Sequence, residues 1–337
     1  MTNLKEVAKR AGVSPSTVSR VINNHPYVNE EKRQKVLDTI EELNYIPNIN
    51  AIHLKKGKTN LIGVVLPFSN HPYFSQLIQG ISEEAIKSNK KIVLFQTAYD
   101  TDQEIDALEM LKLKQIDALI ICSRNISLTI VEQYIEYGPI SIFENISNSK
   151  FRTTYIDHYN AFKQALNHLY NNGHRHIACA INRRNSTSSI LRIQAYKDFF
   201  SENALPFTDQ DIYENFVLLE DGQILAQKID NKENPPTAIV VSGDNTAAGL
   251  FISLNDEQKK NISIIGFENH KISKLLNLTT IEIPLFQIGK SLFNQLYEDK
   301  LNNYLFETKL IKRNSVFKLN HWHEMHFIDY PLINHKY

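Results

Sequence analysis

The chain has very little cysteine: two residues in 337, Cys122 and Cys179. Each stands in an apolar, strand-like run (118–123 and 177–181), where a buried reduced thiol is the ordinary state, so neither a disulfide framework nor a redox centre is expected. Long hydrophobic runs are missing too. No stretch approaches the roughly 18 consecutive apolar residues of a membrane helix. The opening Met1-Thr2-Asn3-Leu4-Lys5-Glu6 lacks the basic start and continuous apolar segment of a secretory leader, and a cytoplasmic protein is expected. Also absent are a phosphate-cradling glycine loop (Gly-x-Gly-x-x-Gly or Gly-x-x-x-x-Gly-Lys-Ser/Thr), a nucleophile elbow and a His-Glu-x-x-His pair, which removes the commonest motif-based enzyme classes.

Net charge is absent as well, with 37 Lys and Arg against 37 Asp and Glu. That balance hides an asymmetry. Residues 1–60 hold ten basic and six acidic side chains, and the remainder carries the compensating negative charge. A basic head on an acidic body suits a polyanion-binding module joined to a domain with another task, although a solvated basic surface gives the same count. The hydrophobic fraction of 42% and charged fraction of 22% are ordinary for a soluble globular protein. A length of 337 residues exceeds the roughly 100–200 of one domain, so two or three folded units are expected.

The first unit, 1–46, reads as three short helices. Leu4, Val7, Ala8 and Ala11 recur at helical spacing, and Gly12 ends the run. Ser14 offers a hydroxyl cap and Pro15 stands at the first helical position, so a second helix runs to about Asn23. A third begins after Asn29 and carries Val36, Leu37, Ile40 and Leu43 on one face. Two helices joined by Gly12-Val13 make a helix-turn-helix, whose second helix presents its N-terminal residues to base edges in the major groove. In that helix Val18, Val21 and Ile22 face inward, leaving Pro15, Ser16, Ser19 and Arg20 outward. Arg20 has the fork for a bidentate contact to guanine. Thr17, Ser19 and Asn23 are short polar groups suited to phosphates. A generic helical hairpin fits the same pattern.

Asn44-Tyr45-Ile46-Pro47 breaks the helical pattern, and 47–60 reads as a hinge helix and linker. From Leu61 apolar strand-like runs (61–67, 91–96, 118–122, 139–143, 154–156, 177–180, 238–241 and 262–267) alternate with helical patterns (74–88, 102–113, 159–171, 190–201 and 246–254). That alternation predicts an α/β body of doubly wound parallel sheets, and the number of strands favours two lobes.

The stretch Leu4-Lys5-Glu6-Val7-Ala8-Lys9-Arg10-Ala11-Gly12-Val13-Ser14-Pro15-Ser16-Thr17-Val18-Ser19-Arg20-Val21-Ile22-Asn23 resembles the N-terminal signature of the LacI/GalR (lactose-repressor-like) family almost position by position. The similarity continues in Glu42-Leu43-Asn44-Tyr45-Ile46-Pro47-Asn48, Leu61-Ile62-Gly63-Val64-Val65 and Asn172-Gly173-His174-Arg175-His176-Ile177-Ala178. Pro236-Thr237-Ala238-Ile239, Ile262-Ser263-Ile264-Ile265-Gly266-Phe267 and Leu278-Thr279-Thr280-Ile281 extend it, so that it spans residue 4 to about 316. The head motif is highly specific, and the body motifs gain force from their order.

The resemblance implies an all-α helix-turn-helix head (1–46), a hinge (47–60), a two-lobed effector-binding and dimerisation body like periplasmic sugar-binding proteins (61–316) and a C-terminal extension (317–337). It implies a transcriptional regulator that binds double-stranded operator DNA as a homodimer under a small-molecule effector, most commonly a sugar, with no cofactor. Ser14 joins the candidate DNA contacts of the second helix. In the hinge, Leu54 matches the family leucine that wedges into the minor groove and Ala51 the alanine three residues before it, with Asn48 and Lys55 as further DNA contacts. Ile52-His53 departs from the arginine that often follows the alanine. In the body, Arg192 matches the arginine that holds effector hydroxyls or carboxylates, and Asp244 the aspartate of a second-lobe loop. Both are expected on loops after strand-like segments, together gripping neighbouring sugar hydroxyls. Glu268 stands where Asp is usual, Tyr73 and Phe74 flank the cleft, and Asp157 fits the acid at the lobe crossover, with His158 and Asn160 replacing the usual Asn and Gly.

His321, His323 and His326 with Glu324 have metal-ligand chemistry, but an aromatic-rich terminal extension with surface histidines accounts for them without a metal. Two other functions remain open on the same body. One is a sugar-modifying enzyme, which the missing catalytic motifs disfavour, and the other is a cytoplasmic sugar-binding protein, which the head disfavours.

Overall fold

The computed structural model describes residues 3–46, 57–146 and 150–319. Contacts divide the chain into one unit ending at Thr59 and another beginning at Asn60. In the first unit each helix starts on a side-chain cap. Asn3 accepts from the amides of Lys5 and Glu6 ahead of α1 (Leu4–Arg10), Ser14 from Thr17 ahead of α2 (Pro15–Ile22), and Asn29 from Glu31 and Lys32 ahead of α3 (Glu30–Glu42). These bonds satisfy amides that the first helical turn leaves without partners. Gly12 takes φ +67° directly after the C-cap Ala11, a left-handed position that glycine enters at little cost and that turns α1 into α2.

The small core consists of Val7, Ala8, Val18, Val21, Val36 and Tyr45. Leu37 does not join it. Its 44% exposure follows from the helical step of about 100° per residue: with Val36 and Thr39 turned inward, Leu37 points away. Tyr45, just past the helix, closes that side.

The second unit contains two lobes. The first comprises β1 (Leu61–Leu66), α4 (Pro72–Lys87), β2 (Lys91–Gln96), α5 (Thr101–Lys112), β3 (Ala118–Ile121), α6 (Leu128–Glu132), β4 (Ile140–Phe143) and β5 (Arg152–Ile156). The second comprises α7 (His158–Asn171), β6 (Ile177–Ala180), α8 (Thr187–Glu202), β7 (Ile212–Tyr213), α9 (Leu219–Asp230), β8 (Ala238–Val241), α10 (Asp244–Ser253), α11 (Gln258–Asn261), β9 (Ser263–Glu268), α12 (Lys271–Leu275) and β10 (Thr279–Glu282). The chain then crosses back. α13 (Leu285–Gln295) packs against α4, β11 (Asn303–Phe306) pairs with β5, and β12 (Lys309–Ile311) pairs antiparallel with β10.

The sheets run β11-β5-β4-β3-β1-β2 and β12-β10-β9-β8-β6-β7, and all pairs except β10–β12 are parallel. The central strands β3, β6 and β8 are buried at every residue, as expected for continuous apolar runs covered by helices on both faces. The return of α13 is held by backbone contact. A Cβ on Gly80 would lie 2.1 Å from the carbonyl oxygen of Phe286, and one on Gly289 would lie 2.3 Å from that of Leu77. Only the two glycines let α4 and α13 approach so closely.

Candidate functional site

In each sheet the strand order reverses between adjacent strands, β1 and β3 in the first and β6 and β8 in the second. Parallel sheets bind ligands beyond the carboxyl ends of their strands at such a switch point. Here the two switch points face a common cavity of about 220 Å3. Its first-lobe wall comes from the start of α4 (His71, Tyr73, Phe74), from Tyr99 and from the loops after β3 and β4. Its second-lobe wall comes from His158, from Asn182, Arg183 and 185–188 after β6, from Leu191 and Arg192 on α8, from Ser242 and Gly243 after β8, and from Glu268 at the end of β9.

Several polar pairs cross the cleft. Arg124 grips Glu144 within the first lobe through Nε–Oε2 at 2.7 Å and Nη2–Oε1 at 2.6 Å, and Thr187 Oγ1 of the second lobe donates to the same Oε1 at 2.6 Å. Arg183 donates to Asn125 Oδ1 at 2.9 Å, and its guanidinium lies 3.6 Å over the ring of Tyr99, a cation–π contact between lobes. His71 Nε2 lies 3.3 Å from the carbonyl oxygen of Val217.

Arg192 is 7% exposed. It sits in the second turn of α8 rather than on a loop, because the apolar residues from Ile190 onward are preceded by a Ser186 cap that starts the helix three residues earlier. Its Nη2 lies 3.3 Å from His158 Nδ1 and its Nε is buried without a partner. Burial lowers the Arg192 pKa, opposed by Tyr73 and Glu268. Burial, reinforced by the Arg192 charge, holds His158 well below its ordinary pKa, so its ring is a neutral acceptor. Tyr73 stacks on Phe143 and meets Phe74 edge-on. Its phenol is kept protonated by burial and by Glu268. Cys122 also lines the cavity, with its thiol pushed up to about 12 by burial, so it is no nucleophile at neutral pH.

Glu268 takes φ +105°, a conformation costly for a residue with a side chain and found at sites where the surroundings over-determine it. Its Oε2 lies 2.7 Å from His270 Nε2. Both atoms lack a hydrogen bond of good angle, so the contact is an ion pair when His270 carries its second proton. Burial disfavours charge on His270, but Glu268 and Asp244 outweigh it and raise the pKa.

The cavity therefore brings Tyr73, Phe74, Arg192 and Glu268 together and leaves out Asp244 and Asp157. Asp244 is fully buried behind the wall, where Oδ1 accepts from Thr280 Oγ1 and Oδ2 from the amide of His270, each at 2.7 Å. Asp157 caps α7, accepting from the amide and Nδ2 of Asn160 at 2.9 and 2.6 Å. Sequence reasoning missed Arg124, Glu144 and Arg183. Their signal is a polar cluster immediately after a buried strand, Ser123-Arg124-Asn125 and Asn182-Arg183-Arg184-Asn185.

On α2, Pro15, Ser16, Arg20 and Asn23 are exposed, Thr17 and Ser19 half-buried, and Val18 and Val21 buried. Ser14 Oγ lies 2.7 Å from Ser16 Oγ and 2.9 Å from Thr17 Oγ1, while Asn23 Nδ2 donates to the Ser19 carbonyl at 2.7 Å. Arg20 has no ion-pair partner among the described residues, which leaves its fork available. Asn48, Ala51, Leu54, Lys55 and the histidines at 321, 323 and 326 lie outside the described residues. Among the described residues no helix is long and apolar enough to cross a membrane.

Residues 3–48 match the family model of bacterial regulatory proteins of the lacI family, and 59–314 match that of periplasmic binding proteins and the sugar binding domain of the LacI family. The HTH-type transcriptional regulator YkvZ of Bacillus subtilis is 40% identical over 324 residues, covering 94% of this chain and 100% of the relative. Among solved structures, the Lac repressor dimer bound to operator and the anti-inducer ONPF superposes with a TM-score of 0.78 at 24% identity, over 94% of this chain and 99% of that one. A LacI family regulator from Enterococcus faecium with bound ribose superposes at 0.67 with 23% identity, over 77% and 100%. The relatives are transcriptional regulators, which removes the sugar-modifying enzyme as a reading. The chain belongs to the LacI family of DNA-binding helix-turn-helix transcriptional regulators, with a periplasmic-binding-protein-like effector domain.

Proposed function

We propose that the protein is a repressor that binds a palindromic operator as a dimer, and that a sugar held between the lobes sets its grip on DNA. The observation that carries this reading is the cavity at the two switch points. Its walls belong to different lobes and are already joined by polar contacts, so a ligand there makes different contacts with open and closed bodies. That difference is the requirement for a ligand to shift a conformational equilibrium.

The lining suits a sugar. Tyr73 and Phe143 supply aromatic faces, while Arg192, His158, Asn182 and Glu268 supply donors and acceptors for hydroxyls. The ribose named with the E. faecium regulator supports the same class. In the head, Arg20 reads a base edge and Ser14, Pro15, Ser16, Thr17, Ser19 and Asn23 lie along the groove and its phosphates. Asn48, Ala51, Leu54 and Lys55 act at the dyad, Leu54 as the minor-groove wedge.

The test begins by selecting the operator from a random duplex pool. A thermal-shift screen over neutral sugars, sugar derivatives and nucleobases then identifies the effector, since a ligand that binds only the folded protein raises its melting temperature. Addition of that compound is expected to shift operator affinity by about 5–150-fold. A selected sequence without dyad symmetry, or an effector that is not a sugar, overturns the corresponding part of the reading.

A further inference from the structure

Three guanidinium groups line the cavity, those of Arg124, Arg183 and Arg192. Arg124 is neutralised by its two bonds to Glu144. The other cavity carboxylate, Glu268, is engaged by His270 at 2.7 Å. Arg183 and Arg192 are left with neutral partners only: Asn125 Oδ1, the Arg124 carbonyl and the Tyr99 ring for the first, His158 Nδ1 and the Phe267 ring for the second. Neither has a carboxylate within ion-pair distance among the described residues. The Nε of each is buried and unpartnered.

Arg192 is buried and Arg183 half-buried, and a cation withdrawn from water without an anion is costly, more so with one donor unsatisfied. Neutral hydroxyls can satisfy the donors but leave the charge. The sixteen-residue helix α8 also begins at the cavity, with Ser186, Thr187 and Ser188 in its wall, and its N-terminus adds partial positive charge. Glu144, beside Thr187, offsets part of that field, but it is already held by Arg124.

We propose that the effector carries a negatively charged group, a carboxylate or a phosphate, that is read by Arg183 together with Arg192. The sugar reading above supplies the rest of the ligand, and the anionic group narrows it to sugar acids or sugar phosphates.

The test uses the full chain and matched probes: glucose, glucuronate and glucose 6-phosphate, ribose and ribose 5-phosphate, and inorganic phosphate, followed by thermal shift and calorimetry. At least one anionic member is expected to bind about tenfold or more tighter than its neutral counterpart, the gain from about 1.5 kcal/mol of charge-assisted hydrogen bonding. Tighter binding of the uronate identifies a carboxylate and tighter binding of the phosphate ester a phosphate. Arg183→Gln is expected to abolish that preference and any protection by inorganic phosphate, Arg183→Lys to retain most of both, and Arg184→Gln, whose parent side chain pairs with Glu214 outside the cavity, to change neither. Neutral sugars that bind as well as or better than their anionic partners overturn the proposal while leaving the sugar reading intact, as does a preference that survives Arg183→Gln. Absence of binding by every probe, phosphate included, also overturns it. Protection by phosphate lost in Arg183→Gln, with an anionic compound that is not a sugar as the effector of the wider screen, keeps the anion site and removes the sugar, whereas a neutral nucleobase as effector overturns the proposal.

Discussion

The side-chain amide of Gln76 on α4 lies 2.8 Å from Nδ1 of His270, so that one imidazole ring joins the first lobe to the buried acids of the second. The opposite ring nitrogen faces Glu268 Oε2 at 2.7 Å, and the backbone amide of the same residue donates to Asp244. Closing the lobes and setting the protonation of this cluster are therefore linked.

The cluster gives a pH signature. Burial, then the nearby Glu268 charge, raises Asp244 from its ordinary 3.8 to about 7. A carboxyl whose pKa is higher folded than unfolded stabilises the fold fully below the unfolded value, and that contribution is lost as pH climbs through about 7. His270, raised above its ordinary 6.5, acts with the same sign, its contribution being lost as pH rises through the folded value. Asp244→Asn mimics the protonated acid: its oxygen can accept from the His270 amide while its nitrogen donates to Thr280 Oγ1. Melting temperatures across about pH 5 to 8 are expected to show the parent losing stability relative to Asp244→Asn as pH rises. A constant difference between the two proteins would show that Asp244 stays ionised throughout.

Gly80→Ala should be among the more damaging small substitutions in the body. Its Cβ would meet a backbone oxygen at 2.1 Å, so α4 and α13 must separate. Overpacking of this kind costs about 1–3 kcal/mol, and a body of this size loses about 2–4 °C of melting temperature per kcal/mol. Calorimetry showing no loss would mean that the interhelical contact yields freely.

Arg192→Ala and Asp157→Ala are expected to separate ligand binding from stability. Arg192 lines the cavity, so its loss should weaken effector binding by tenfold or more, on the order of 1.5–3 kcal/mol for a bond to a charged group. Asp157 only caps α7. Its loss should cost about 1 kcal/mol of stability and leave the effector Kd near the parent value. Titration calorimetry on both variants distinguishes the roles, and equal losses of affinity would refute the division.

Arg20→Ala should relax operator selection while the body remains folded and responsive. Losing one bidentate base contact costs about 1–3 kcal/mol of discrimination at that base pair. Reselection from a random duplex pool is the check, and recovery of the parent consensus at undiminished stringency would take Arg20 out of base reading.

What could be read from the sequence was what neighbouring residues decide. The caps at Ser14 and Asn29, the turn at Gly12 and the outward placement of Pro15, Ser16 and Arg20 on α2 depend on groups within about one helical turn, and each took the place its local pattern indicated. The fully apolar runs that became β3, β6 and β8 were equally legible. The edge strands β7, β11 and β12 were not. They are short, and β11 and β12 form only when the chain has crossed back to strands ended long before. The site divided along the same line. Tyr73, Phe74, Arg192 and Glu268, which the family resemblance names, line the cavity, whereas the Arg183–Tyr99 stack and the Gln76–His270 bond join residues far apart in sequence. The family resemblance puts Asp244 among the effector-gripping residues, yet in the fold it is buried behind the cavity wall. Thr280 and the His270 amide, brought to it by the packing of β9 and β10, supply two hydrogen bonds inside the lobe, and that partnership exists only in the folded sheet.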